Sequence, residues 1–258
     1  MNKTITTLLF MISTSLCIAQ GNNTISKQSS FQLNLGLNQL KEENLHPKVH
    51  SGMIYGLNYS NSRTSLRQKI FQLAVHFSKP KTKFESLAAS MNLQLYGSYS
   101  FLFHEIKKNN FTVCLGPELD VHYNLSHYPN WDESHLYWSN YLSLRIHNKL
   151  RYQLNTKQLL TLNFSIPVFS VISRPELNRM YKIDNVTFGG IIENMHSNLE
   201  GACWNHSFAL KSNLEYQFTI TEKITQAICY SFNYFKMRAS EGFPFQSTQH
   251  LIGLKLYY

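Results

Sequence analysis

The stretch FTVCLGPELDVHYN, Phe111–Asn124, alternates without a break. Its odd positions are apolar (Phe111, Val113, Leu115, Pro117, Leu119, Val121, Tyr123), and its even positions are polar or small (Thr112, Cys114, Gly116, Glu118, Asp120, His122, Asn124). A period of two puts the sets on opposite faces of a β-strand. Fourteen residues at about 3.3 Å each extend about 46 Å, whereas ordinary strands run about 5–6 residues. A soluble periplasmic sandwich rarely needs that length. A tilted strand that crosses a bilayer and projects beyond it does.

The same period recurs in nine further runs: Phe31–Leu37, Met53–Tyr59, Phe71–Phe77, Met91–Phe103, Leu136–Leu154, Leu160–Val168, His206–Phe218, Ile228–Tyr234 and His250–Tyr258. Short polar connections are expected at Asn61–Ser65, His104–Asn110, Asn155–Gln158 and Thr219–Lys223. Longer ones are expected at Lys41–Val49, Lys79–Ser86, Leu125–His135, Ser173–Ala202 and Arg238–Thr248. Short and long take turns, as they do when antiparallel neighbours have tight turns at one rim and loops at the other. Outward aromatics fall near run ends. Tyr59, Phe71, Phe101, Phe103, Phe111, Tyr152, Phe218 and Tyr258 lie near the short turns, and Tyr123, Trp138 and Tyr234 near the loops, as for two interfacial belts.

Hydrocarbon offers no partner to a free strand edge, so such a sheet must close. The sequence therefore predicts an all-β, antiparallel, transmembrane up-and-down β-barrel of about ten strands. The count becomes twelve if the apolar parts of Ser173–Ala202 form a hairpin rather than fold into the lumen. Pro117 and Pro167 each lack a ladder donor and predict bulges. Charged residues are 15% of the chain, against about a quarter in soluble proteins, and aromatics reach 14%.

The N-terminus, MNKTITTLLFMISTSLCIAQ, has a basic Lys3, an apolar run Leu8–Ile18, and small Cys17 and Ala19 before Gln20. That is the pattern of a secretory signal peptide over 1–19, leaving 20–258 as one domain. No later segment has 18 uninterrupted apolar residues, so no transmembrane helix is expected. Cys114, Cys203 and Cys229 are odd in number and include no CxxC. They predict neither a metal site nor a disulfide framework, and at least one buried free thiol. No cofactor or nucleic-acid motif is present.

A signal peptide, ten alternating runs and a last strand LIGLKLYY ending on Tyr258 resemble a Gram-negative outer-membrane β-barrel protein. The SLCIAQ junction is similar to signal peptides of Bacteroidota. This resemblance implies outer-membrane location and a terminal strand read by the barrel-insertion machinery. It is one of architecture, so it does not assign an activity.

The even face of the opening stretch then lines the lumen. Glu118, Asp120 and His122 rise toward the loop rim, facing a strand whose inner residues include Ser139, Tyr141, Ser143 and Arg145. The loop length places Glu118 opposite Ser143, with Arg145 one diagonal step away, and predicts a Glu118–Arg145 pair filling a narrow lumen. Asp120-Val121-His122 also resembles the Asp-x-His pair of omptins, ten-stranded outer-membrane proteases. The match is one tripeptide, and the family's aspartate pair has no clear counterpart. His196-Ser197-Asn198 is compared with the His-x-Ser-Asn-Gly motif of outer-membrane phospholipases, but it lacks the intervening residue and has Leu199 for Gly. A third feature is basic: Lys79, Lys81 and Lys83 in one loop, and Arg174, Arg179 and Lys182 in another, suited to lipopolysaccharide phosphates or an anionic ligand, or simply solvated loop charge. The expected protein is a monomeric, non-enzymatic barrel in contact with outer-membrane lipid: a small channel, a ligand-binding barrel or an envelope interaction protein. A barrel hydrolase is the alternative.

Overall fold

The computed structural model describes residues 26–258 except 44–45, 66, 83–88, 130–134, 176–186, 197, 222–223 and 240–242. The expected signal peptide lies outside the described residues, as do Lys83, Arg179 and Lys182. Ten long strands make the wall: β1 (Ser26–Glu42), β2 (His46–Thr64), β3 (Gln68–Ser78), β4 (Met91–Leu102), β6 (Phe111–Tyr128), β8 (Asn140–Asn155), β9 (Gln158–Ser173), β11 (Ser207–Thr221), β12 (Ile224–Met237) and β13 (Phe245–Tyr257). Three short strands extend them: β5 (His104–Lys108) and β7 (His135–Trp138) along β6, and β10 (Leu199–Ala202) along β9. Every pairing is antiparallel, and β1 pairs with β13, which closes the sheet. The protein is a ten-stranded up-and-down barrel.

The alternation sets the facing. Leu93, Leu95 and Leu119 are exposed on the outer wall, while Gln94 and Asp120 are buried inside. On β3 the outward column Phe71, Leu73, Val75, Phe77 is bracketed by Lys69 and Lys79. Lys69 to Lys79 spans about 33 Å along the strand, or about 25 Å vertically at a tilt of about 40°, the height of a hydrocarbon girdle. Both expected bulges exist. The register slips by one residue in β4–β5 opposite Pro117 and again at Pro167, where β9 bulges against β8.

Several connections differ from expectation. Strands β1 and β2 extend further than their apolar runs, because side chains beyond the girdle need not be apolar. Only residues 43–45 separate them, so most of the expected long loop Lys41–Val49 is strand. His104–Asn110 is mostly strand, with its turn at Asn109–Asn110 and Asn109 at φ 52°.

The described part of the Ser173–Ala202 segment adds neither a hairpin nor a luminal plug. It holds a short helix, α1 (Phe188–Asn194), followed by Met195 and His196 against the outer wall. Met195 O accepts from Ser173 Oγ (2.7 Å) and Asn140 Nδ2 (3.4 Å), and His196 Nε2 lies 3.0 Å from Tyr123 Oη. Trp138, expected in the lipid-facing belt, is buried to 1% exposure beside this contact; its indole N–H points to Ser173 Oγ at 3.4 Å.

Candidate functional site

The lumen changes character along its length. At the loop rim, Arg174 is buried and ties four elements together. Its Nη2 donates to both Glu42 oxygens (2.8 and 2.9 Å) and to Tyr137 Oη (3.0 Å), and its Nη1 to the carbonyls of Met237 (3.1 Å) and Phe243 (3.0 Å). Burial works against the guanidinium charge, and the Glu42 carboxylate outweighs it, raising the Arg174 pKa above its ordinary value. Arg174 thus stands apart from Lys79 and Lys81, which are exposed.

Beneath this tie, Leu40, Tyr141, Ile172, Ala202, Ala209, Phe235, Met237 and Phe245 form one buried apolar layer inside the barrel. Beside it lies an amide network. Asn92 Nδ2 donates to Asn124 Oδ1 (2.6 Å) and Ser126 Oγ (2.9 Å), Gln94 Nε2 to Asn92 Oδ1 (2.7 Å), and Asn38 Nδ2 to Ser78 Oγ (2.9 Å). Gln249 and Tyr96 close onto Gln94.

The charged centre follows. Glu118 stands directly opposite Arg145, and Asp120 opposite Ser143, so the expected pairing was displaced by one same-face step. β6 runs on through Leu125–Tyr128, residues expected in the connection, and pairs there with β7, so the centre of the hairpin falls one residue later than a simple loop count gives. Arg145 Nε lies 3.3 Å from Glu118 and its Nη1 3.4 Å from Asp120. Lys211 Nζ, from β11, holds the other Asp120 oxygen at 2.6 Å. His147 Nδ1 lies 3.0 Å from Glu118, which also accepts from Ser100 Oγ (2.8 Å) and Ser165 Oγ (3.0 Å). The sequence brought Glu118, Asp120 and Arg145 together. It did not assign Lys211 and His147 to this cluster, although both carry the correct inward parity, because strand adjacency across the barrel is not written in any one strand.

Arg145 has a second task. The ladder between β9 and its β10–β11 neighbour is absent from Ile166 to Phe169, between the Ser165↔Lys211 and Ser170↔Ala202 pairs. Pro167 has no N–H to give, and the chain turns out of the wall at Cys203–His206. Arg145 Nη2 bridges this seam from inside, donating to Ser165 O (2.7 Å) and Ala209 O (2.9 Å). From outside, the Trp204 indole N–H donates to Pro167 O.

His122 is not oriented by Asp120. Its ring stacks on Tyr96 (4.2 Å between centroids, 6° between planes) and meets Tyr141 and Phe235 edge-on. Neither ring nitrogen has a hydrogen-bond partner among the described residues. A carboxylate–imidazole base needs that contact. The two nitrogens of His196 are engaged with Tyr123 Oη and with Ile192 O at 2.7 Å; Ser197 lies outside the described residues.

Toward the short-turn rim lies a cavity of about 160 Å³, walled by Gln72, His76, Tyr96, Asp120, Lys211 and Lys255 among others. His76 lies across Gly56, where a Cβ would come within 2.3 Å of its ring. Gln72 is inward-facing yet exposed, so water reaches this space. Below it, Lys255 Nζ pairs with Glu215 at 3.0 Å, with Tyr257 Oη and Gln217 on the same carboxylate.

No family model and no curated protein sequence matches the chain. Solved structures do. The outer membrane protease OmpT from Escherichia coli superposes with a TM-score of 0.51 at 6% identity, covering 95% of this chain and 99% of that one. The fold is that of a bacterial outer-membrane β-barrel. The β domain of the Bordetella autotransporter BrkA (TM-score 0.45, 7% identity, 90% and 99% covered) also matches. So does the NalP translocator domain of Neisseria meningitidis (0.41, 8%, 98% and 94%). At these identities the likeness is one of fold. The girdle, polar lumen and closed wall supply the physical reason for a place in the outer membrane.

Proposed function

We propose that this barrel is a non-enzymatic outer-membrane protein whose lumen binds a small polar ligand rather than conducting. The observation that carries this reading is the packed layer of Leu40, Tyr141, Ile172, Phe235, Met237 and Phe245, with the Arg174–Glu42 tie above it. Side chains that fill a narrow barrel remove its aqueous path. Below that layer the hydrated cavity presents amides, hydroxyls and Lys211, groups that fix a small polar molecule by hydrogen bonds. Asp120 is engaged with Lys211 and Arg145 rather than with a histidine, which favours structure over hydrolysis. The test is a planar bilayer containing the purified barrel. No unitary steps are expected, and steady ohmic conductance would overturn the reading. So would hydrolysis of phospholipid or peptide by the wild type that His122→Ala abolishes.

A further inference from the structure

We propose that the outer wall of β1–β3, at the loop-side edge of the girdle, is a binding site for one phosphorylated lipid of that leaflet. Its acyl chains would lie on Leu37, Met53, Tyr55 and Phe77, and its phosphate on Lys79 and Lys81. This rests on the membrane placement of the barrel and not on the role given to the lumen.

The four apolar residues are neighbours across the wall: Leu37 pairs with Met53 and Tyr55 with Phe77. All are exposed, and with Lys79 and Lys81 they line a groove of about 670 Å³. Phe77, Lys79 and Lys81 continue one outward column, so the amines begin where the apolar surface ends. An acyl chain and a phosphate are joined in that order in a lipid.

The lysine backbone is held rather than loose. Ser51 and Lys81 exchange both main-chain hydrogen bonds at 3.0 Å. Gly52 lets the chain after β3 pass close, since a Cβ there would come within 2.6 Å of Lys79 O. Ser90 N and Oγ both donate to Pro80 O, at 3.0 and 3.2 Å. Lys79 Nζ sits 5.9 Å from the Phe77 ring centroid, at the level of the aromatic belt. No carboxylate among the described residues is within salt-bridge reach of either amine, unlike Lys41, which is paired with Glu43 at 2.5 Å. Two ammonium groups with no carboxylate partner among the described residues, beside an apolar groove, complement a phosphate with hydrocarbon attached.

The experiment is native mass spectrometry of the full mature chain, detergent-solubilised and titrated with lipid A or its dephosphorylated form. Wild type is expected to retain one lipid A at least tenfold more tightly than the dephosphorylated lipid. The Lys79→Glu/Lys81→Glu variant is expected to lose that preference, and Tyr55→Ala to weaken both lipids several-fold. A Lys236→Glu/Arg238→Glu variant, charged elsewhere on the rim, is expected to behave as wild type. Equal retention of the two lipids by wild type, or undiminished preference in Lys79→Glu/Lys81→Glu, would overturn the site. Displacement of lipid A by millimolar inorganic phosphate would overturn it as a lipid site and leave an anion site. The boiled-versus-unboiled gel shift reports barrel formation separately, so failure of the barrel is distinguishable from failure of the site.

Discussion

On β12, Phe235 and Met237 point into the loop-side half of the lumen, while Ser231 and Asn233 point with the same inward parity into the short-turn half. The first pair is buried like a soluble core, at 6% and 0% exposure; the second is half-buried beside a hydrated cavity. One closed wall surrounds both halves, but their contents differ. The loop-side half is sealed by apolar packing, and under it Arg145, at 1% exposure, is partnered on every nitrogen, while its carboxylates Glu118 and Asp120 form the top of the hydrated cavity. In the short-turn half, Lys255 lines the cavity while Glu215 behind it is buried and keeps Tyr257 and Gln217 as further partners, with no second cation in salt-bridge reach and no main-chain seam depending on the lysine among the described residues. The same type of interaction should therefore be worth different amounts at the two levels.

Arg145→Ala is the strongest break of that contrast. It strands Glu118 and Asp120 and frees the carbonyls of Ser165 and Ala209 at the wall seam. A loss of about 3–5 kcal/mol is expected, read from urea unfolding in detergent. Arg145→Lys keeps the charge without the fork and should recover only part of it. Phe235→Ala removes packing from the sealed half and is expected to cost about 3 kcal/mol in the same measurement. Lys255→Met leaves Glu215 its Tyr257 and Gln217 partners and frees no wall carbonyl, so about 1 kcal/mol is expected. Gln72→Ala, inward but exposed, should change stability by no more than about 0.5 kcal/mol. If Lys255→Met proved as damaging as Arg145→Ala, the two halves would not differ in what depends on the cation, and the contrast would fail.

Part of this site was readable in the chain. Glu118, Asp120 and Arg145 share inward parity on consecutive strands, and a hairpin register predicts their meeting to within one same-face step. Lys211 and His147 were visible as inward residues without an address. The apolar layer was hidden for another reason: Phe235, Met237 and Phe245 lie at or beyond the ends of the alternating runs, where an inward apolar residue and an outward one look alike. Trp138 was assigned to lipid because its parity is outward, and it is outward. Its burial belongs to the tertiary structure: its indole faces Ser173 Oγ, thirty-five residues on, which in turn holds Met195 O.

The sequence by itself determined the strands, their facing, the two proline bulges and the closed antiparallel barrel. Period-two alternation and the missing proline donor are local properties, and closure follows from hydrocarbon having no hydrogen bonds to offer. Only the tertiary structure decided what fills the barrel. It decided that Arg174 ties the mouth instead of facing solvent, that Arg145 stitches the seam at Ile166–Phe169, and that His122 lies against Tyr96 rather than Asp120. Each depends on which strands become neighbours around the ring and by how many residues they slide. Those offsets add over ten pairings, and no single stretch of sequence contains their sum.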